Sequence, residues 1–295
     1  MRPLDDWRSA AQFMTFGNLK AAWWSTGENA DEKPWLLLIH GYPTSSWDWT
    51  PMWEALSAHF RLAAVDMIGF GLSDKPPKHR YSIFEQADLQ ESLLEYLGIS
   101  EAHLFVHDYG NTVAQELIAR QAETSLSFLI RSCVFLNGGL FPEMHRARLS
   151  QKLGLTPLGA LLGAMMSKDR LRTAFDEIFG PDTKASDDEI SGHFKLIREN
   201  NGLKVLHKAL QYIPERRAHR ARWVGGLQQT HLPMRLINGG ADPVSGAHLY
   251  HYYKEQIPNA DAVLFDELGH YPHTEGPDQV LAAFLEFHRN HKTIA

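Results

Sequence analysis

Short, nearly continuous apolar runs recur along this chain: WLLLIH (35–40), RLAAVDM (61–67), HLFVH (103–107), CVFLN (133–137), MRLING (234–239) and AVLFDE (262–267). A strand without a polar face has to be buried on both sides, as strands of a parallel sheet are. Helix-length segments separate the runs. Within 85–97, Leu89, Leu93, Leu94 and Leu97 fall on one helical face, and further helices are expected at 111–121 and 277–289. With an N-terminal pair, FMTF and KAAWWS, the pattern predicts an α/β fold: an eight-stranded, mostly parallel sheet flanked by helices.

The strand rhythm stops between about 141 and 230, a stretch rich in Lys, Arg, Leu and Met. It reads as a wholly helical insertion, a cap or lid over the sheet edge where open α/β sheets bind ligands. The expected organisation is therefore a core in two parts, 1–140 and 231–295, with a cap at 141–230. Its most apolar segment, LGLTPLGALLGAMM (153–166), is too short to span a bilayer and is interrupted by Thr156 and Pro157, so a buried or lid helix is expected there.

Composition removes several classes of function. Net charge is −6 and no basic run follows a phosphate backbone, so nucleic acid is not an expected partner. No apolar segment reaches membrane-spanning length and the start lacks a signal-peptide core, so no membrane partner is expected either. The single cysteine, Cys133, excludes an internal disulfide and fits a cytoplasmic location. His248 and His251 stand three apart on a probable helix, but no third metal ligand accompanies them; neither metal nor cofactor is expected.

The chemistry concentrates at the ends of the strands. In FVHDYGN (105–111) a strand runs into a sharp turn and a helix, the layout of a nucleophile elbow, with Asp108 at its tip. The turn departs from the serine form at Val106 and at Asp108 itself; an ordinary helix-capping aspartate is the alternative. HGYPTSSWDW follows the first long strand, where this layout places an oxyanion-hole loop, making the backbone N–H groups of Tyr42 and Tyr109 the expected donors. Asp242 in NGGADPVSG and His270 in DELGHYPHTEGP complete the order nucleophile, acid, base. Asn137, at the other strand tip that could hold the acid, carries no charge. His273 reads as a surface or supporting residue.

On HGYPTSSWDW, VDMIGFGLSDKP, HDYG, GGADP and GHYPHTEGP, the chain resembles the α/β-hydrolases of the epoxide hydrolase and haloalkane dehalogenase group. Within it, HDYGNTVAQEL, NGGLFPEMHR, QYIPERR and RWVGGL resemble the mesoderm-specific transcript (MEST) family. The resemblance implies an Asp108 nucleophile that attacks saturated carbon, forming an alkyl ester that His270-activated water cleaves. It also implies lid donors for the leaving oxygen. Tyr212 in LQYIPERR matches one; the segment expected to hold the other has no tyrosine, and His145 in FPEMHRAR is its candidate. The halide-binding Trp of dehalogenases is replaced by Tyr109, and their Asn after HG by Tyr42. His40, Trp47, Leu140 and Phe141 are expected to contact substrate, from their closeness to these motifs.

The expected activity is thus opening of small apolar epoxides to diols. A haloalkane dehalogenase with an unusual halide site, and a MEST-like binding protein without turnover, are the alternatives. The oligomeric state stays open, a homodimer included.

Overall fold

The computed structural model describes residues 1–26 and 33–294. The strands form one eight-stranded sheet: β1 (Gln12–Phe16), β2 (Leu19–Ser25), β3 (Trp35–Ile39), β4 (Arg61–Val65), β5 (Glu101–Val106), β6 (Leu129–Phe135), β7 (Met234–Gly239) and β8 (Asp261–Phe265). Their spatial order is β1-β2-β4-β3-β5-β6-β7-β8. β2 pairs antiparallel with both β1 and β4, and all other pairings are parallel. This is the eight-stranded, mostly parallel sheet expected from the apolar runs.

Side chains alternate between two cores, as the two-residue period of a strand requires. Leu37 and Ile39 of β3, Ala63 and Val65 of β4, and Leu104 and Val106 of β5 join the helices on one face. Leu36, Leu38, Leu62, Ala64 and Phe105 meet the other face. β3 is the topological switch. The chain leaves it to place β4 on one side, then returns to place β5 on the other. A crevice therefore opens beyond the ends of β3 and β5, the place where such sheets hold ligands.

The helices follow the expected pattern with shifted ends. Ser82 accepts a hydrogen bond from Glu85 N–H and starts the first helix at Ile83. The second runs Tyr109–Ala122, two residues earlier than its periodicity indicates, because it begins directly at the elbow. The last is Pro277–Asn290.

Between β6 and β7 the chain is helical, from Leu149–Gly154 to Arg220–Gln229. This insertion has a small core of its own, containing Leu171, Phe175, Phe179 and Ile190, into which Tyr271 from the loop after β8 inserts. The apolar 153–166 segment is not one buried helix. Thr156-Pro157 divides it between two short helices, Leu149–Gly154 and Gly159–Ala164, whose leucines at 153, 158 and 161 are exposed. No helix among the described residues is long and apolar enough to cross a membrane.

The elbow helix packs directly on the end of β3. A Cβ on Gly110 would stand 2.5 Å from the Ile39 carbonyl oxygen and 2.8 Å from that of His40. Both are backbone atoms, the Ile39 oxygen accepting from His107 N–H, and they cannot move aside. Gly110→Ala is therefore expected to cost about 1–3 kcal/mol and to lower the thermal midpoint by roughly 3–10 °C. An unchanged melting curve would contradict this packing.

Candidate active site

Asp108 stands two residues past β5 with φ 47° and ψ −104°. A non-glycine residue in that region is strained by about 1–3 kcal/mol and persists only where its surroundings impose it. Those surroundings are visible. Asp108 N–H donates to the Asn137 carbonyl at 2.8 Å, and Asn111 Nδ2 donates to the Leu136 carbonyl at 2.7 Å. Gly138 closes the other side, where a Cβ would lie 2.6 Å from Asp108 Cα. The turn thrusts the carboxylate beyond the sheet instead of folding it back as a helix cap, and no side-chain cap bond is made.

Tyr42 N–H donates to Asp108 Oδ2 at 3.0 Å. Asp108 Oδ1 lies 3.7 Å from His270 Nε2. On the far side of the ring, His270 Nδ1 meets Asp242 Oδ2 at 2.7 Å. The three residues named from separate strand ends thus form one line.

Asp242 is held from several directions: Val244 N–H donates to Oδ1 at 2.7 Å, while Ser245 N–H and Ser245 Oγ donate to Oδ2 at 3.0 and 2.7 Å. Asn137 Nδ2 adds a bond to the same Oδ2 at 3.0 Å. Asn137, uncharged at its own strand tip, thus supports the Asp242 carboxylate, a contact invisible in sequence.

Electrostatics follow from this geometry. Burial favours neutral Asp242, but the His270 charge and the converging donors outweigh it and hold the carboxyl down at about 2. Burial alone would lower His270; the Asp242 charge and hydrogen bond, then the Asp108 charge, lift the imidazole to about 9. Glu275, another contributor, also shapes the loop. Its carboxylate accepts from Gly269 N–H, Tyr271 N–H, Gly180 N–H and Thr183 Oγ, all within 2.8 Å. It binds the histidine loop to the helical insertion.

A cavity of about 290 Å³ reaches Asp108, His270 and Tyr42. Leu162, Met166, Leu171, Phe175, Leu206 and Leu210 give it apolar walls, with Arg148, Gln151 and Arg170 among the polar lining. The contacts expected from motif proximity are not made. Trp47 donates its indole N–H to the Arg2 carbonyl and packs its ring on His193, away from the cavity. Leu140 and Phe141 lie in the core, the latter against Tyr252 and Tyr253. His40 is fully buried and structural, accepting from Met67 N–H at Nε2 and reaching the Gly41 carbonyl through Nδ1. Nearness in sequence to a strand tip does not specify which face of the loop a side chain takes.

Tyr212 packs its ring between those of Tyr109 and Tyr42, at 5.0 and 6.3 Å. Its hydroxyl is buried and has no protein partner. Burial and the Asp108 charge raise its pKa, and the Arg216 charge opposes them. Both ring nitrogens of His145 are likewise buried and unpartnered. Burial, Arg216 and His270 hold it neutral, at about 3. Neither residue lines the cavity, but Tyr212 is near enough to feel the Asp108 charge and His145 that of Asp242. Tyr109 turns its side chain into the packing beside Phe70, leaving only its backbone at the site.

Arg216 was not foreseen. Fully buried, it stacks its guanidinium 4.4 Å from the Tyr212 ring centre, donates Nε–H to Thr112 Oγ1 at 2.6 Å and reaches the Asp108 carbonyl at 3.3 Å. Its position one helical turn after Tyr212 was the signal available in sequence.

Behind the site, Asp48, His107 and His273 bring one potential ligand atom each within 4.8 Å of one another, all buried. His107 Nε2 contacts the His270 carbonyl at 2.8 Å, so that nitrogen carries the proton and ties the elbow to the histidine loop. His273 is buried here and not at the surface, its ring against Trp49. His248 contacts the Met144 and Val244 carbonyls.

A sequence model of the alpha/beta hydrolase fold matches residues 34–277. The bovine (Bos taurus) mesoderm-specific transcript homolog protein is 38% identical over 294 residues, covering 96% of this chain and 87% of that protein. Shorter stretches resemble Epoxide hydrolase 1 of Caenorhabditis elegans, 33% identical over 41% of this chain and 29% of that one. A haloalkane dehalogenase of Mycolicibacterium paratuberculosis is 37% identical over 32% of this chain and 33% of its own length. The elbow, the strand order and these likenesses agree: the chain belongs to the α/β-hydrolase fold family, in the group of the mesoderm-specific transcript proteins.

Proposed function

We propose that the protein is an epoxide hydrolase in which Asp108 is the nucleophile. The observation that carries this reading is a carboxylate at the tip of the elbow, Oδ2 held by Tyr42 N–H and Oδ1 facing His270. A carboxylate attacking an acyl carbon yields a labile anhydride; attacking a saturated carbon it yields a stable ester that can be hydrolysed in a second step.

In the first step an Asp108 oxygen bonds to a ring carbon, the C–O bond breaks, and the departing oxygen takes a proton from Tyr212 while His145 polarises it. The buried Tyr212 hydroxyl makes no hydrogen bond to a protein group, which supports its role as the donor. In the second step His270, having released its own proton to solvent as Asp108 loses its charge, takes one from water. The hydroxide adds to Cγ, the Cγ–O bond of the ester breaks, and the departing oxygen takes the proton from the imidazolium. The carboxylic acid left at Asp108 returns a proton to the Tyr212 phenolate. The backbone N–H groups of Tyr42 and Tyr109 stabilise the oxyanion, Asp242 holds the imidazolium, and the diol leaves with one oxygen from Asp108.

The charges suit this order. Before attack, the two carboxylates keep His270 protonated near neutral pH. Esterification removes the charge of Asp108, one of the causes that lift His270, and so frees the imidazole to act as a base.

Halide loss is disfavoured by the placement of the Tyr109 side chain in the packing, where a donor to halide would be needed. The partial likenesses to proteins named for both activities support the branch without choosing between them.

Isotope labelling, substitution and pH test the reading. In ¹⁸O-water, the first turnover on styrene oxide is expected to give unlabelled diol, and His270→Gln to accumulate an alkylated Asp108 seen as a mass increase. Label in the first-turnover product rules out the covalent route. Tyr212→Phe is expected to slow ester formation about a hundredfold or more and to spare ester hydrolysis. Halide release from 1,2-dibromoethane without epoxide turnover would reassign the enzyme as a dehalogenase.

The folded value of His270 lies above the ~6.5 of a free imidazole, so its stabilisation is full below that pH and is lost as pH rises through about 9. Asp242 acts oppositely, stabilising above ~3.9 and losing this as pH falls through about 2. The stability gap between the native chain and His270→Gln, on the order of 3 kcal/mol at most, should therefore narrow between pH 6.5 and 9 in thermal melts. A constant gap would contradict the charge pairing.

A further inference from the structure

The helices Leu149–Gly154 and Gly159–Ala164 are built the wrong way round for elements that only close a core. Their glycines face the protein. A Cβ on Gly154 would stand 2.4 Å from Leu210 Cδ1, and one on Gly163 2.4 Å from the Leu203 carbonyl oxygen. Their large apolar residues face outward: Leu149 is 71% exposed, Leu153 37%, Leu158 56%, Leu161 58% and Met165 46%. Spacings of four, and of three then four, put each set on one side of its helix. Only three other large apolar residues, Phe13, Tyr96 and Leu129, are as exposed among the described residues. Concentration of this kind marks a surface that something covers.

Charge identifies what covers it. The chain carries −6 overall, yet Arg146, Lys152, Lys168 and Arg170 around this patch are exposed, and no ion pair engages any of them among the described residues. Asp169 is the only acid between 144 and 172. A second copy seated symmetrically would bring two cationic rims together. An apolar face ringed by cations instead matches an anionic lipid surface, which takes the leucines into its acyl boundary and pairs the rim with headgroups. The inner side of the same helices lines the cavity through Gln151, Gly154, Gly159, Leu162 and Gly163.

We propose that this cap face docks peripherally on anionic lipid surfaces, placing the cavity where apolar molecules partition. Docking is independent of the Asp108 chemistry and is read by binding alone. Docking of this kind departs from the expectation that the chain has no membrane partner, which rests on the lack of spanning-length apolar segments.

The experiment is sedimentation of the full chain with phosphatidylcholine vesicles and with equimolar phosphatidylcholine and phosphatidylglycerol vesicles. Binding to the anionic vesicles alone, weakened by salt, is expected. Leu158→Glu combined with Leu161→Glu and Met165→Glu should weaken it about tenfold or more, while Tyr96→Ser on another face leaves it unchanged. If the triple variant melts unlike the native chain, Lys152→Glu with Lys168→Glu decides, by the loss of the anionic preference. No binding by the native chain, or binding that both variant sets retain, overturns the proposal. So does a solution dimer that the triple variant dissolves, with no vesicle binding, which assigns the face to a second copy.

Discussion

The close contact between the Asp108 turn and the ends of its neighbouring strands governs this molecule. The turn holds a backbone geometry that a non-glycine residue avoids, and three neighbours enforce it: the β3 carbonyls under Gly110, Gly138 against Asp108 Cα, and the Asn137 carbonyl on Asp108 N–H. Each enforcing contact comes from a strand adjacent in the sheet. The fold and the site are therefore a single constraint, because strand order decides which backbone atoms confine the carboxylate.

The second organising element is the histidine loop. His270 depends on Asp242 for its charge, on the His107 contact for its placement against the elbow, and on Glu275 for the loop that carries it. Glu275 also accepts from Gly180 and Thr183, while His270 N–H donates to the Ile178 carbonyl. His270 is thus tied to the cap as well as to the sheet, and motion of residues 178–183 would be felt at the imidazole.

The sheet was legible because its strands are buried on both faces and read as unbroken apolar runs. Asp108, Asp242, His270 and the Tyr42 loop were legible because each follows such a run in a fixed order. Legibility ended where side-chain direction mattered. Trp47, Leu140, Phe141 and His40 stand beside the right motifs but turn into the packing. Arg216 stands one helical turn after Tyr212 and Asn137 at a strand tip, but spacing alone does not reveal a buried guanidinium stacked on a phenol or a carboxamide bonded to an acid. The 153–166 segment, expected as a buried or lid helix, is two short helices of the insertion; composition did not reveal that its glycines take the inner face and send the leucines out.

The Asn137 to Asp242 bond has one more consequence. The tips of β6 and β7 are near enough that Nδ2 of one reaches Oδ2 of the other at 3.0 Å. Were both residues aspartates, two buried carboxylates would share that distance and one would have to hold a proton. A protonated acid there could no longer stabilise the imidazolium by its charge. The site has two addresses for its acid and room for one tenant; the carboxamide at the vacant address keeps the negative charge single and therefore fully available to His270.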